Sequence, residues 1–125
     1  MGATVKVRDE VVDLFITSAL PTIVERLQPE LVLVFGSRVR GEAHAGSDLD
    51  VIVVAQAFAD IPFLKRMPML LRLARFPRHI DFLCYTPEEF EQVRSVSAVV
   101  NDALREGEVV YRGRETALAQ EITTS

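Results

Sequence analysis

The sequence holds one cysteine and no tryptophan. A single thiol, Cys84, excludes an intramolecular disulfide and any cysteine-cluster metal site, two common staples of small domains. No uninterrupted apolar run approaches the ~20 residues that carry a helix across a bilayer. The opening residues, MGATVKVRDEVVDLF, lack the apolar core and small-residue cleavage pattern of a secretory leader, and Lys6 stands where a myristoylation signal needs Ser or Thr. A soluble, cytoplasmic chain is the expectation. Positive charge is also scarce: 14 Lys and Arg against 18 Asp and Glu give a formal net charge of -4, which offers no general attraction to a phosphate backbone. There are no internal repeats and no low-complexity linker. With 125 residues, 49% of them hydrophobic, the chain suits one core and one domain spanning 1–125.

Against that background one stretch stands out, VFGSRVRGEAHAGSDLDVIVV from Val34 to Val54. It joins a short run of β-formers, a Gly-Ser turn, an arginine-bearing short helix and an Asp-x-Asp pair on a second run of β-formers. Gly36 lets the backbone approach a phosphate closely, and Ser37 offers a hydroxyl and an N-cap at a helix start. Alternate residues of a strand share a face with Cα atoms about 7 Å apart, so Asp48 and Asp50 converge. Such hard oxygen ligands suit divalent ions that accompany triphosphates. Further on, Asp81 interrupts the apolar run of RHIDFLCY, and a lone charge there asks for a partner. Either a metal shared with the Asp-x-Asp pair or an ion pair with Arg78 answers that need.

These residues resemble the minimal nucleotidyltransferases of the DNA polymerase β superfamily, whose pattern is a GS turn, a nearby Arg-Gly and an Asp-x-Asp about ten residues on. The resemblance implies a polymerase β-like fold and Mg²⁺-dependent transfer of a nucleoside monophosphate from an NTP, most simply AMP from ATP, with release of pyrophosphate. By position, Gly36, Ser37 and Arg40 match the nucleotide-binding elements. Asp48, Asp50 and Asp81 match the catalytic carboxylates that bind two metal ions. Val39 departs from the family pattern, where a small Ala is common. In minimal members of this size, the resemblance implies a separate HEPN-type toxin as partner and an antitoxin that adenylylates it. A contact-only module that neutralises its partner without catalysis is the alternative. Nucleic acid or a small molecule as acceptor is less favoured by the negative charge and by the lack of a second domain.

The remaining features place these motifs in a mixed β-sheet flanked by helices, an α/β (α+β) domain. A helical spacing of apolar residues runs from Asp9 to Leu27, with Pro21 expected to kink or divide the segment. Strands are expected over Leu31 to Phe35, Asp48 to Ala55, Ile80 to Tyr85 and Glu108 to Arg112. Helices are expected over Ser37 to Arg40, Ile61 to Arg75 with an interruption near Pro68, and Thr86 to about Arg105, followed by a tail over 113–125. Arg38 and Arg40 point about 200° apart on a helix, so one of them faces solvent or a structural carboxylate. His44 reads as a loop residue, and Ser47 as a cap or orienting group for Asp48. The basic segment LKRMPMLLRLARFPRH, with Lys65, Arg66, Arg72, Arg75 and Arg78, reads as an amphipathic helix with solvated arginines and inward Met67, Leu70, Leu71 and Leu73, or as a partner surface.

Overall fold

Runs of β-formers alternating with amphipathic stretches give the order α1 (Glu10–Leu14), a π-helical turn (Phe15–Ala19), α2 (Leu20–Leu27), β1 (Leu31–Phe35), α3 (Ser37–Arg40), β2 (Leu49–Val54), a 3-10 turn (Gln56–Asp60), α4 (Phe63–Ala74), β3 (Ile80–Tyr85), α5 (Pro87–Arg94), α6 (Ala98–Glu106) and β4 (Glu108–Arg112). The structure is a computed structural model and describes residues 8–113. The readings of the MGATVK segment and of the tail after Gly113 lie outside the described residues. No helix among those described is long and apolar enough to cross a membrane.

The four strands form one mixed sheet in the order β3-β2-β1-β4. In it β1 is antiparallel to both β2 and β4, while β2 is parallel to β3. Period-two alternation splits the sheet residues between two apolar layers. Val32, Val34, Val51, Val53, Phe82 and Cys84 pack with Val12, Phe15, Ile23 and Leu70 from α1, the π turn, α2 and α4. Leu31, Leu33, Ile52 and Val54 face the other way, onto Phe90, Val100 and Ala103 of α5 and α6. The central strands β1 and β2 are therefore covered on both faces, which is why LVLVF and the VIVV of β2 are continuous apolar runs rather than alternating ones. Each fully buried Leu, Ile or Phe contributes on the order of 1.5–3 kcal/mol by leaving water. On β3, at the sheet edge, burial alternates, and Asp81 occupies a half-buried position.

Several boundaries differ from expectation for local reasons. Pro21 does not divide the first helical stretch. It lacks the N–H that would reach Thr17, and the preceding turn widens so that the Leu20 N–H donates to the Phe15 carbonyl five residues back. Pro68 likewise stays inside α4, where the carbonyl it deprives belongs to Leu64 on the exposed face. The long helix expected from Thr86 to Arg105 is two helices, because the Ser97 side chain accepts from the Val100 N–H and starts α6 afresh. The Asp48 to Ala55 strand is shorter by one residue at each end. The expected Ile61 to Arg75 helix begins at Phe63, after Pro62.

One correction concerns charge. Arg66 is not solvated but 4% exposed. Its guanidinium donates bidentately to Glu89, at 2.5 Å to Oε1 and 3.2 Å to Oε2, and also to the carbonyls of Ile61 and Cys84. It lies over the rings of Phe58 and Phe63 at 5.6 and 5.5 Å. Met67 is also more exposed than expected, whereas Leu70 is buried.

Candidate active site

The site is built where β1 ends and where β2 and β3 begin. Beyond Phe35 the backbone at Gly36 adopts φ +86°, ψ −160°, a conformation costly for any side-chain-bearing residue. A Cβ at this position would also collide with the Oδ2 of Asp50. Glycine is thus required twice here, by dihedral and by space. The Gly36 carbonyl accepts from the Val39 and Arg40 N–H groups at 3.0 and 3.1 Å, so Gly36 is the N-cap of α3. This corrects the expectation for Ser37, which is the first helical residue and makes no side-chain cap bond. Its backbone is already helical, so its hydroxyl no longer overlies the N–H groups of the first turn. Val39, at the family's small-residue position, is half-buried against the first apolar layer.

The two arginines of α3 separate as their angular offset requires. Arg38 is buried and joins three segments. It donates to both carboxylate oxygens of Asp9 at 3.2 and 3.0 Å, to the Ser47 carbonyl at 3.0 Å, and to the His44 and Ala45 carbonyls. Asp9 in turn caps α1 through the N–H groups of Val11 and Val12. The loop that delivers Asp48 is therefore anchored from behind by a buried ion pair. Arg40 is exposed and its Nε donates to Glu42 Oε1 at 2.9 Å. Ser47 does not hold Asp48; its hydroxyl accepts from the His44 N–H within the loop. His44 is exposed, in keeping with its loop reading.

Strand pairing brings the acidic residues to one sheet end. Asp50 is the register partner of Phe35 on β1 and of Asp81 on β3. Asp48 and Asp50 share the parity of Ile52 and Val54, and Asp81 that of Leu83 and Tyr85, so all three lie toward the α5 and α6 face. Ligand-capable oxygens of Asp48 and Asp81 and a nitrogen of His79 all fall within 4.8 Å of one another. Asp50 turns its carboxylate to Gly36, bridging the acidic group and the glycine turn. Its carboxyl is pushed above the ordinary carboxylate range, first by burial and then by the charges of Asp81 and Asp48, with Arg40 opposing. Arg78 does not pair with Asp81; its guanidinium donates to the Ala45 carbonyl, while His79 Nε2 lies 3.0 Å from Asp81 Oδ1.

His79 is the residue that sequence reasoning missed. The signal was available, because His79 stands two residues before Asp81, the same same-face spacing that linked Asp48 to Asp50. The donor set fits a divalent ion, since two carboxylates and an imidazole nitrogen converge at one sheet end. A separate cleft of about 600 Å³ lies beside α3, between Arg8, Val12, Val39 and Glu108, and the three aspartates do not line it. Cys84 contributes no chemistry; burial pushes its thiol up to about 12.

The model of the nucleotidyltransferase domain family matches residues 16–110. The chain is 32% identical over 85 residues to the probable protein adenylyltransferase MntA of Haemophilus influenzae, a match covering 65% of this chain and 75% of that protein. Among solved structures, a toxin–antitoxin crystal structure with AMP-PNP superposes with a TM-score of 0.58 at 17% identity, covering 87% of this chain and 81% of the other. A mutant of the toxin–antitoxin MntA-HpeT gives a TM-score of 0.50 at 17% identity, covering 95% and 82%. At such identities these structures speak for the fold. With its family model spanning most of the length and the motif seated on the matching strands, the chain belongs to the nucleotidyltransferase domain family.

Proposed function

We propose that this nucleotidyltransferase transfers AMP from ATP to a separate protein, a HEPN-type toxin, and acts as its antitoxin. The observation that carries the reading is the convergence of Asp48 and Asp81 within ligand distance of one another, with Asp50 bridging to the Gly36 turn. The relative named a probable protein adenylyltransferase supports protein as the acceptor class. In this reading Gly36 allows the triphosphate to approach the backbone, and the Ser37 hydroxyl hydrogen-bonds a phosphate oxygen. Arg40, exposed at the end of α3, exchanges Glu42 for a phosphate oxygen. Asp48, Asp50 and Asp81 would hold two divalent ions, taken as Mg²⁺, which would neutralise charge on the triphosphate and on the departing pyrophosphate. The acceptor hydroxyl attacks the α-phosphorus as the bond to pyrophosphate breaks, and Asp81 takes the hydroxyl proton.

The exposed apolar residues Phe63 and Leu64 of the proline-bearing middle segment are the proposed toxin contacts. The test is incubation of the chain with Mg²⁺ and α-labelled ATP beside the co-purified partner. Label is expected on the partner with the unmodified chain and on nothing with the Asp48→Ala, Asp50→Ala double variant. Full labelling by the double variant would refute the carboxylate assignment. Neutralisation of the partner without label from any NTP would favour the contact-only module.

A further inference from the structure

One imidazole stands inside the carboxylate group, and phosphoryl transfer as outlined above gives it no task. His79 is exposed, lies just before β3, and presents Nε2 3.0 Å from Asp81 Oδ1. Its ligand-capable nitrogen and the carboxylate oxygens of Asp48 and Asp81 are mutually within 4.8 Å, so one ion can reach all three with small side-chain movements. Asp50, with its carboxylate against Gly36, is left to the side of the glycine turn. The end of the sheet therefore carries a mixed nitrogen–oxygen donor set around His79, with the Asp50 carboxylate beside it.

We propose that His79, Asp48 and Asp81 together form a mixed nitrogen–oxygen site that takes a first-row transition ion such as Mn²⁺ in preference to Mg²⁺. The inference rests on the reading of these carboxylates as metal ligands. Mg²⁺ favours hard oxygen donors and sheds water reluctantly, so a neutral imidazole adds little to its binding. Imidazole is a good donor for first-row transition ions, whose affinity for nitrogen–oxygen sites rises along the series from Mn²⁺. Without an ion, the contact between His79 Nε2 and Asp81 Oδ1 keeps the ring beside the carboxylate; on binding, that contact is exchanged for the ion that both groups share.

The experiment uses the full chain at fixed neutral pH without nucleotide. Mn²⁺ binding is read by loss of the free-ion paramagnetic resonance signal, and Mg²⁺ binding by competition. Wild type, His79→Asn and Asp48→Ala are compared. Wild type is expected to bind Mn²⁺ at least about tenfold more tightly than Mg²⁺, with nitrogen coupling in the spin-echo spectrum of the bound ion. His79→Asn is expected to lower Mn²⁺ affinity about 10–100-fold, to leave Mg²⁺ affinity nearly unchanged, and to remove the nitrogen coupling. Equal loss for both ions in His79→Asn, with no nitrogen coupling in wild type, would overturn the ligand role and leave His79 as a group that merely orients Asp81. Mn²⁺ and Mg²⁺ binding that depends on Asp48 but is indifferent to His79 would refute this inference while sparing the carboxylate reading. Binding indifferent to Asp48 as well would bring down both.

Discussion

At the scale of single residues, the site is organised by conflicts that a ligand would resolve. Asp50 is held above its usual 3.8 by burial and by two neighbouring aspartates, so its ionised form costs the fold stability. That cost exists wherever Asp50 is charged in the fold, and it disappears as pH falls and the folded chain takes up the proton. Asp50→Asn is therefore expected to raise the Tm by a few degrees at neutral pH, with the gain shrinking to nothing below the ordinary carboxylate value, as thermal scans across pH would read. The same variant is expected to lose transfer activity. Gly36 poses the opposite case. Gly36→Ala must accept a positive φ and a methyl group on the Asp50 carboxylate, and is expected to lower stability by about 1–3 kcal/mol in denaturant titrations and to weaken ATP binding. Ala in place of Gly41, where a Cβ meets nothing within 4 Å, is the contrasting control for strain without the collision.

At the scale of elements, the helices behind the sheet are tied by two buried arginines, Arg38 and Arg66. Arg38 holds the amino end of α1 to the loop before β2, and Arg66 holds α4 to the start of α5. The second tie is doubled, because Glu89 both accepts from Arg66 and closes a reciprocal capping box with Thr86. Arg66 holds the Glu89 carboxyl below its usual 4.5. Its contribution is fully present above that value and fades as pH falls through the lower folded one. Glu89→Gln is expected to cost about 2 kcal/mol at pH 7, less than a fully buried pair because the Glu89 side chain is 40% exposed. The Tm difference from wild type is expected to narrow as pH falls below the ordinary carboxylate value.

At the scale of the whole molecule, three strands contribute to one sheet end, so a ligand there couples β1, β2 and β3. Divalent ion plus ATP is expected to raise the Tm by on the order of 10 °C at one hundred times the dissociation constant, and EDTA to abolish the rise. The Asp48→Ala, Asp50→Ala variant is expected to show no such rise by differential scanning fluorimetry. Apolar Phe63 and Leu64, 51% and 85% exposed, lie at the start of α4, with the Phe63 ring 6.0 Å from that of Tyr85. Under the proposed function, this exposed pair is where the acceptor protein docks.

Local chemistry made much of this legible in the sequence. The β1, α3, β3 and β4 boundaries follow from runs of β-formers closed by Gly, Pro and Ser, and Gly36, Ser37 and the Asp-x-Asp pair are close enough along the chain for spacing alone to define their grouping. What lay out of reach required contacts between distant segments. The break at Ser97 depends on its side chain accepting from the Val100 N–H rather than on helix continuation. The burial of Arg66 depends on Glu89, 23 residues away, and that of Arg38 on Asp9, 29 residues away. Above all, the parallel pairing of β2 with β3 sets Asp50 opposite Asp81 and brings His79 to Asp48. Periodicity reports which face of a strand a residue occupies; only the register between strands decides which residues meet there.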